Sequence, residues 1–405
     1  MALIGRNIFI GSDEKIFIGT DRYDTTTQPT SVGIITASDG VAGEEYGKSV
    51  AVGSDIIVVG VPESIQSGLE YGAIYIYDLN GNNEVKKTSS DIQWGDYFGN
   101  SVAVGCGKIV VGALGEDQNA GNAGAAYIYD LDGTNEVKII ASDGAGEGAQ
   151  SFGNSVAVGS GKIVVGAYYR DVGSNEEQGA AYIYNLDGTN EIKIVASDGA
   201  YRDQFGQSVA VGSGRIVVGA WGGNYQTVPG SAYIFDLDGN QLSILTDSNG
   251  NNGDQFGASV AVGSGRIVVG APRYQADTYG QGAIYIYDLD GTQVGIITGH
   301  DGTNSNNFGY SVAIGDGKIV VGDINNSTSG SSDGAAHVYD LDGNYISKLT
   351  HPNGENFDYF GISVAVGSGK IVVGAHWDDV NSNNHQGSAH IYNTPESDHI
   401  FDILD

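Results

Sequence analysis

Cysteine, methionine, proline and basic residues are all scarce in this chain. The single cysteine, Cys106, excludes a disulfide framework, and no Cys/His cluster has the spacing of a zinc motif. Lys and Arg number 18 against 49 Asp and Glu, giving a formal net charge of -31. Phosphate-backbone affinity comes from cationic side chains, so nucleic acid is not an expected partner. No run of eighteen apolar residues occurs, which excludes a helical membrane span and removes a membrane from the expected partners. The opening MALIGRNIFIGSDEK has neither the long apolar core nor the small-residue cleavage site of a secretory signal, so signal-directed export is not expected.

Glycine, by contrast, is abundant. The 65 glycines in 405 residues are more than twice the roughly 7% of ordinary proteins, yet 40% of the chain is hydrophobic, too much for a disordered polymer. A folded chain with very many turns satisfies both numbers.

The turns are periodic. The string S-V-A-[VI]-G starts at Ser49, Ser101, Ser155, Ser208, Ser259, Ser311 and Ser363, at intervals of 51 to 54 residues. Each copy belongs to a longer unit, seen over residues 152–199 as FGNSVAVG, SGKIVVGA, a variable loop, GAAYIYNLDG and TNEIKIVASDG. These are four short segments rich in Val, Ile and Tyr, bounded by Gly, Asp or Asn, and they predict strands A to D. Segments A and B, such as Val156-Ala157-Val158 and Ile163-Val164-Val165, are apolar at consecutive positions, so both faces are expected to be buried between neighbouring sheets. About 52 residues and four strands per repeat suit an all-β fold, a β-propeller whose blades close one another's faces. One domain over 1–405 is expected, with an incomplete unit at 1–40 and full repeats at about 41–92, 93–146, 147–199, 200–250, 251–302, 303–354 and 355–405.

The strings FGNSVAVG, FGQSVAVG and FGASVAVG, each followed by VVGA, resemble the FG-GAP repeat of integrin α-subunit propellers and certain fungal lectins. The resemblance recurs seven times and implies a propeller with binding or adhesive functions. Calcium-binding members of that family carry a D-x-D-x-D-G-type loop between the first two strands. Here that turn is only Gly159-Ser160-Gly161 and its equivalents, so calcium is not carried over and no cofactor is expected.

Ring size is less directly encoded. Residues Gly5 to Gly11 and Lys15 to Gly19 match strands A and B of later repeats, while Val32 to Thr36 matches strand D. Val32 to Thr36 can close a ring of seven, leaving residues 1–30 outside it. Alternatively the first unit is a reduced eighth blade and Ile400 to Ile403 supplies the last D strand. The doubly apolar Ile8-Phe9-Ile10 and Ile16-Phe17-Ile18 favour eight, because a hairpin outside the ring would expose one apolar face.

The two faces of the ring read differently. On one, strand B opens with a base (Lys15, Lys108, Lys162, Arg215, Arg266, Lys318, Lys370) and the C–D turns carry Asp130, Asp132, Asp236, Asp238, Asp288, Asp290, Asp340 and Asp342. These are read as tight hairpins whose carboxylates accept backbone N–H bonds and pair with the adjacent base, rather than as a cation site. The other face, formed by B–C loops and D–A links, holds nearly all the variation and all three tryptophans. Aromatic residues on loops of a rigid scaffold are a common means of binding sugars or proteins, so Trp94, Tyr169, Trp221, Tyr225, Tyr274 and Trp377 are the candidate ligand-binding residues. In the D–A links, Asp96, Asp203, Asp254 and Asp358 are read as backbone caps.

Catalytic signatures are missing. There is no G-x-S-x-G elbow, phosphate-binding loop or dinucleotide fingerprint, and no carboxylate pair stands out as a glycosidase dyad. All seven histidines lie beyond residue 299. His337 and His390 occupy the strand-C position held elsewhere by Tyr127, Tyr182, Tyr233 and Tyr285, and are read as tyrosine replacements. His376 and His385 share a loop with Asp378 and Asp379 and could bind a metal, although the spacing fits no zinc pattern. Cys106 replaces the turn serine seen at Ser160, Ser213 and Ser264, and is read as a neutral substitution. The expectation is a non-enzymatic attachment or display propeller, part of a virion such as a phage decoration or appendage, with a protein or glycan surface and other virion proteins as partners. The alternatives are a soluble lectin and a glycan-active enzyme.

Overall fold

The computed structural model describes residues 29–66, 69–91, 93–117, 123–143, 150–222, 230–247, 250–275, 281–299, 307–326, 333–352 and 357–395, with the strands Asn7–Ile10 and Ile16–Gly19. The described residues contain strands and turns and no helix. Seven four-stranded antiparallel sheets form the blades of a propeller. Blade I runs from strand A at Ser49–Gly53 to strand D at Val85–Lys87, and blade II from Phe98–Gly105 to Val137–Ile139. Blade III runs from Val156–Gly159 to Ile192–Ile194, IV from Ser208–Gly212 to Gln241–Leu245, V from Ser259–Gly263 to Gln293–Thr298, and VI from Phe308–Gly315 to Tyr345–Leu349. Blade VII takes strands A to C from Val364–Gly367, Lys370–Ala375 and Ser388–Asn393, and its strand D from the other end of the chain, Ser31–Ile35.

The ring therefore has seven blades, not the eight that the apolar N-terminal segments favour. Ile34 pairs with His390 and Ile35 with Ala389, so the outer position of blade VII is filled by residues 31–35. Asn7–Ile10 and Ile16–Gly19 pair with each other in a separate two-stranded sheet. The segment Ile400 to Ile403, expected as a closing strand, lies outside the described residues.

The repeat motif is explained by a joint between blades. The serine that opens each S-V-A-[VI]-G string donates its hydroxyl to the carbonyl of the Phe-Gly glycine of the following blade. The pairs are Ser49 to Gly99, Ser101 to Gly153, Ser155 to Gly206, Ser208 to Gly257, Ser259 to Gly309 and Ser311 to Gly361, at 2.8–2.9 Å. Ser363 of blade VII donates to Gly47 of blade I at 2.8 Å, which completes the circuit. The accepting glycine sits at positive φ, +94° at Gly206, and a Cβ there would stand 2.3 Å from the Ala180 carbonyl oxygen. The glycine of each V-V-G-A string faces the same joint, and a Cβ on Gly166 would lie 2.0 Å from the Gly206 oxygen.

Burial follows the same logic. Strands B and C are buried almost throughout, as in Lys162–Ala167 and Ala180–Asn185, because each is covered by a blade on either side. The Phe-Gly phenylalanines Phe98, Phe152, Phe205, Phe256, Phe308 and Phe360 are fully enclosed, with Tyr46 in the equivalent place in blade I. Each phenylalanine backbone bridges the glycine that precedes strand C of the previous blade, as Phe205 bridges Gly179. Its ring meets the strand-C aromatic of its own blade edge-on, as Phe205 meets Tyr233 at 5.3 Å and 66°. The A strands contact one another around the ring and line its centre.

Candidate functional site

On the face of A–B and C–D turns, the hairpins are tight and self-satisfied. At the A–B turns the residue before glycine is left-handed, with φ of 51° at Cys106 and 49° at Ser160, so Cys106 occupies an ordinary turn position. In the C–D turns Asp78 accepts the Asn80 and Asn82 amides at 2.9 and 3.0 Å, and Asp132 accepts the Thr134 amide at 2.9 Å. Lys108 reaches Asp130 and Arg266 reaches Asp288, each at 2.6 Å. The Asp78 and Asp132 carboxylates are thus engaged as hairpin acceptors, and Asp130 and Asp288 as partners of the strand-B bases.

On the opposite face blades I to III each carry a polar station built by three elements. In blade I the Tyr75 hydroxyl on strand C donates to Asp39 of the preceding D–A link at 2.6 Å, and Lys86 on strand D reaches the other carboxylate oxygen at 2.8 Å. Blades II and III repeat the set as Tyr127, Asp91, Lys138 and Tyr182, Asp143, Lys193. Burial works to raise the Asp39 carboxyl, but the bonds from Lys86 and Tyr75 outweigh it and hold the group below its ordinary value. Blades IV and V keep the Tyr–Asp bond, Tyr233 to Asp198 and Tyr285 to Asp247, and place Ile244 and Ile296 where lysine stood. A pocket of about 280 Å³ opens beside the blade I station, lined by Asp39, Ser64, Tyr71, Lys86 and Thr88 among others.

Three of the four D–A link acids, Asp96, Asp203 and Asp254, cap the backbone as expected. Asp96 accepts the Gln93 amide at 2.6 Å, Asp203 that of Ala200 at 2.6 Å, and Asp254 that of Asn251 at 2.8 Å. The second oxygen of Asp96 is buried without a hydrogen-bond partner among the described residues. Burial, aided by Glu116, Asp117 and Asp91, pushes this carboxyl up to about 6. A raised acid favours the fold most when protonated. Its contribution is full below the unfolded value of roughly 3.9 and is lost as pH rises through the folded one. Asp96→Asn is therefore expected to flatten part of the fall in melting temperature between about pH 4 and pH 7. A difference between variant and parent that stays constant over that range would remove this ionisation from the account.

The five aromatic candidates among the described residues do not converge. Trp94, in the link before blade II, is 68% exposed and free to meet a partner. Trp221 is half-buried, and its indole N–H donates to Gln204 in its own blade. Tyr274 packs edge-on against Tyr285 at 6.2 Å, and Tyr169 lies against Tyr168 at 4.0 Å. Tyr225 falls outside the described residues. Trp377 belongs to a real cluster: its indole donates to Glu45 at 3.0 Å, stacks on His385 at 4.9 Å and 15°, and meets Tyr359 at 4.9 Å. Exposed Phe357 extends that cluster, 6.5 Å from Tyr359.

The histidines sort differently from the expectation. His385 is stacked on Trp377, with its backbone amide bonded to Asp379 at 2.8 Å, and burial drives His376 down to about 2. Neither joins Asp378 in a metal-ligand set. Asp378 instead faces His351 and His390, with His351 Nε2 3.2 Å from its Oδ2. His337 and His390 do occupy the tyrosine register of strand C, opposite Val321 and Val373.

The FG-GAP repeat family matches residues 29–77, 82–129, 134–184, 189–235, 240–287, 292–339 and 344–392, seven segments that span most of the chain. This chain belongs to the FG-GAP repeat family. No curated protein matches it. In this FG-GAP propeller the family's F-G and V-V-G-A strings are the two halves of the blade joint. They determine the ring and leave the B–C loops and D–A links to vary. Most of the aromatic candidates lie in the B–C loops, whereas the three most exposed aromatics among the described residues stand in the D–A links: Trp94, Phe357 and Tyr201. A large apolar side chain shortly before the buried Phe-Gly pair, as in Phe357-Asp358-Tyr359-Phe360, was the available signal.

Proposed function

We propose that this propeller is a non-enzymatic binding scaffold that attaches to a protein or glycan surface through its face of B–C loops and D–A links. The observation that carries the reading is the asymmetry between the faces. One is closed by tight hairpins with engaged carboxylates, while the other bears Trp94 at 68% and Phe357 at 56% exposure beside the Trp377 cluster. Exposed rigid aromatics supply contact area at low entropic cost, which suits attachment. Use as a virion decoration or appendage extends this reading, since a disulfide-free, strongly acidic ring with one display face is suited to assembly on a particle.

A soluble lectin is the second reading, favoured by the blade I pocket. Its hydroxyls, carboxylate and ammonium beside Tyr71 match the hydrogen-bonding of a monosaccharide in a space of about 280 Å³. Trp94→Ala and Trp377→Ala are each expected to weaken attachment by more than about 1 kcal/mol, whereas Lys162→Ala and Asp132→Ala on the opposite face leave it unchanged. Binding is measured on glycan arrays and on purified particles or host surfaces. Sensitivity confined to Lys162 and Asp132 would put the working surface on the other side.

A further inference from the structure

We propose that His351, Asp378 and His390 form a binding site for a divalent transition-metal ion, best matched by zinc, at the blade that closes the ring. The three come from three elements: the link into blade VII, its B–C loop and its strand C. One ligand atom from each lies within 4.8 Å of the other two, and His351 Nε2 stands 3.2 Å from Asp378 Oδ2. Donors sharing a tetrahedral zinc at about 2.0–2.1 Å are separated by roughly 3.4 Å, so the His351–Asp378 pair already has the required spacing, and the third donor lies within 4.8 Å of both. Two imidazoles and a carboxylate suit zinc, with a fourth position left for water. Around them, Ser388 Oγ lies 3.0 Å from His390 Nε2, and the Phe360 ring stands edge-on to both imidazoles at 6.1 and 5.1 Å. A hydroxyl and an apolar wall of this kind are the outer-shell features that orient ligands and limit solvent.

Comparison with the other blades gives the site its meaning. His351 stands where Asp247 stands before blade V, and His390 where Tyr285 does. The resident cation of blades I to III, the strand-D lysine, is absent from blade VII because Ile34 occupies its register opposite His390. Blade VII has thus exchanged a hydroxyl donor, a carboxylate and an ammonium for two imidazoles and a loop carboxylate, a set that lacks a fixed positive charge. A divalent ion restores that charge. It would tie the loop bearing Trp377 to strand C at the point where the N-terminal strand docks. This departs from the expectation that the chain takes no cofactor, and it concerns neither calcium nor the A–B turns.

The test begins with chelator-stripped, full-length protein. Zinc chloride titrated calorimetrically is expected to bind at one ion per chain and to raise the melting temperature by about 3 °C or more at a hundredfold excess over Kd. Cobalt chloride should give the visible bands of tetrahedral N/O ligation. The double variant His351→Asp, His390→Tyr restores the pair used in blades I to V and is expected to fold and lose both signals, while His385→Ala keeps them. Should the double variant fail to fold, Asp378→Asn removes the anionic ligand with its shape retained and is expected to weaken zinc binding at least tenfold. Absence of a zinc response in the parent, or an equal response in the double variant or in Asp378→Asn, overturns the proposal.

Discussion

A chain lacking residues 1–36 is expected to lose the closed ring, whereas one lacking only residues 1–28 keeps it. The longer deletion removes Ser31–Ile35, whose partners are Tyr392, Ile391, His390 and Ala389 on strand C of blade VII. Ile35 is buried in a core cluster that joins blade VII to blade I and contains Ile391, Val372, Val59 and Tyr46. Losing that side chain costs roughly 2 kcal/mol, and the broken ladder bonds about 1 kcal/mol each, on the order of 5 kcal/mol together. The deletion also leaves strand Ser388–Asn393 with an unpaired edge, a template for association between chains. Thermal melting and size-exclusion chromatography of the two truncated chains decide the matter. Equal losses from both deletions would show that the first 28 residues contribute to closure, as an eighth blade would require. A peptide spanning 29–37, added to the longer deletion, should recover part of the lost stability by re-forming strand D.

That experiment addresses the feature least legible in the sequence. Strand identity and blade count within the repeats follow from local patterns that recur seven times, as do the buried aromatic-Gly pairs, Phe-Gly in six blades and Tyr46-Gly47 in the first, and the matched registers reproduce them. Closure depends on a pairing between residues 31–35 and 389–392, and no local pattern ranks it against a competing hairpin. Ile8-Phe9-Ile10 and Ile16-Phe17-Ile18 mimic strands A and B closely enough to suggest another blade, yet among the described residues their strands pair with each other in a separate two-stranded sheet.

The candidate site was legible to a similar depth. Which face varies was readable, because uniform turns and diverse loops alternate along the repeat. The state of each aromatic was not, since exposure depends on what the neighbouring link presents. Trp221 finds Gln204 and Tyr274 finds Tyr285, and both are drawn into their own blades. His351 and His390 are separated in sequence and meet Asp378 only through the fold, so no local spacing marks the three as a group. His390 holds the tyrosine register of strand C, opposite Val373, which its place in the repeat makes legible, whereas its approach to His351 and Asp378 is not.

Replacing Gly166 with alanine is expected to destabilise the protein by about 3 kcal/mol or more, while the same change at Gly295 is neutral or slightly stabilising. Both glycines lie in strands and neither has the positive φ that would strain alanine, so backbone conformation does not separate them. Their surroundings do. A Cβ on Gly166 would stand 2.0 Å from the Gly206 carbonyl oxygen and 2.3 Å from Ser155 Oγ, whereas one on Gly295 would meet nothing within 4 Å. The atoms that obstruct it are those of the Ser155 to Gly206 hydrogen bond, so a methyl group there must part blades III and IV or break the bond that joins them. The carbonyl belongs to a backbone already fixed by the Phe205 bridge to Gly179 and by the Gly206 amide, which donates to the Gly219 carbonyl, and it has little room to yield. Ser155→Ala relieves part of the crowding and should make the Gly166→Ala penalty smaller in the double variant than the sum of the single ones. Chemical denaturation of the four proteins measures this directly. A Gly166→Ala penalty no larger than that of Gly295→Ala would mean that the V-V-G-A glycine is retained for some reason other than the contact between blades.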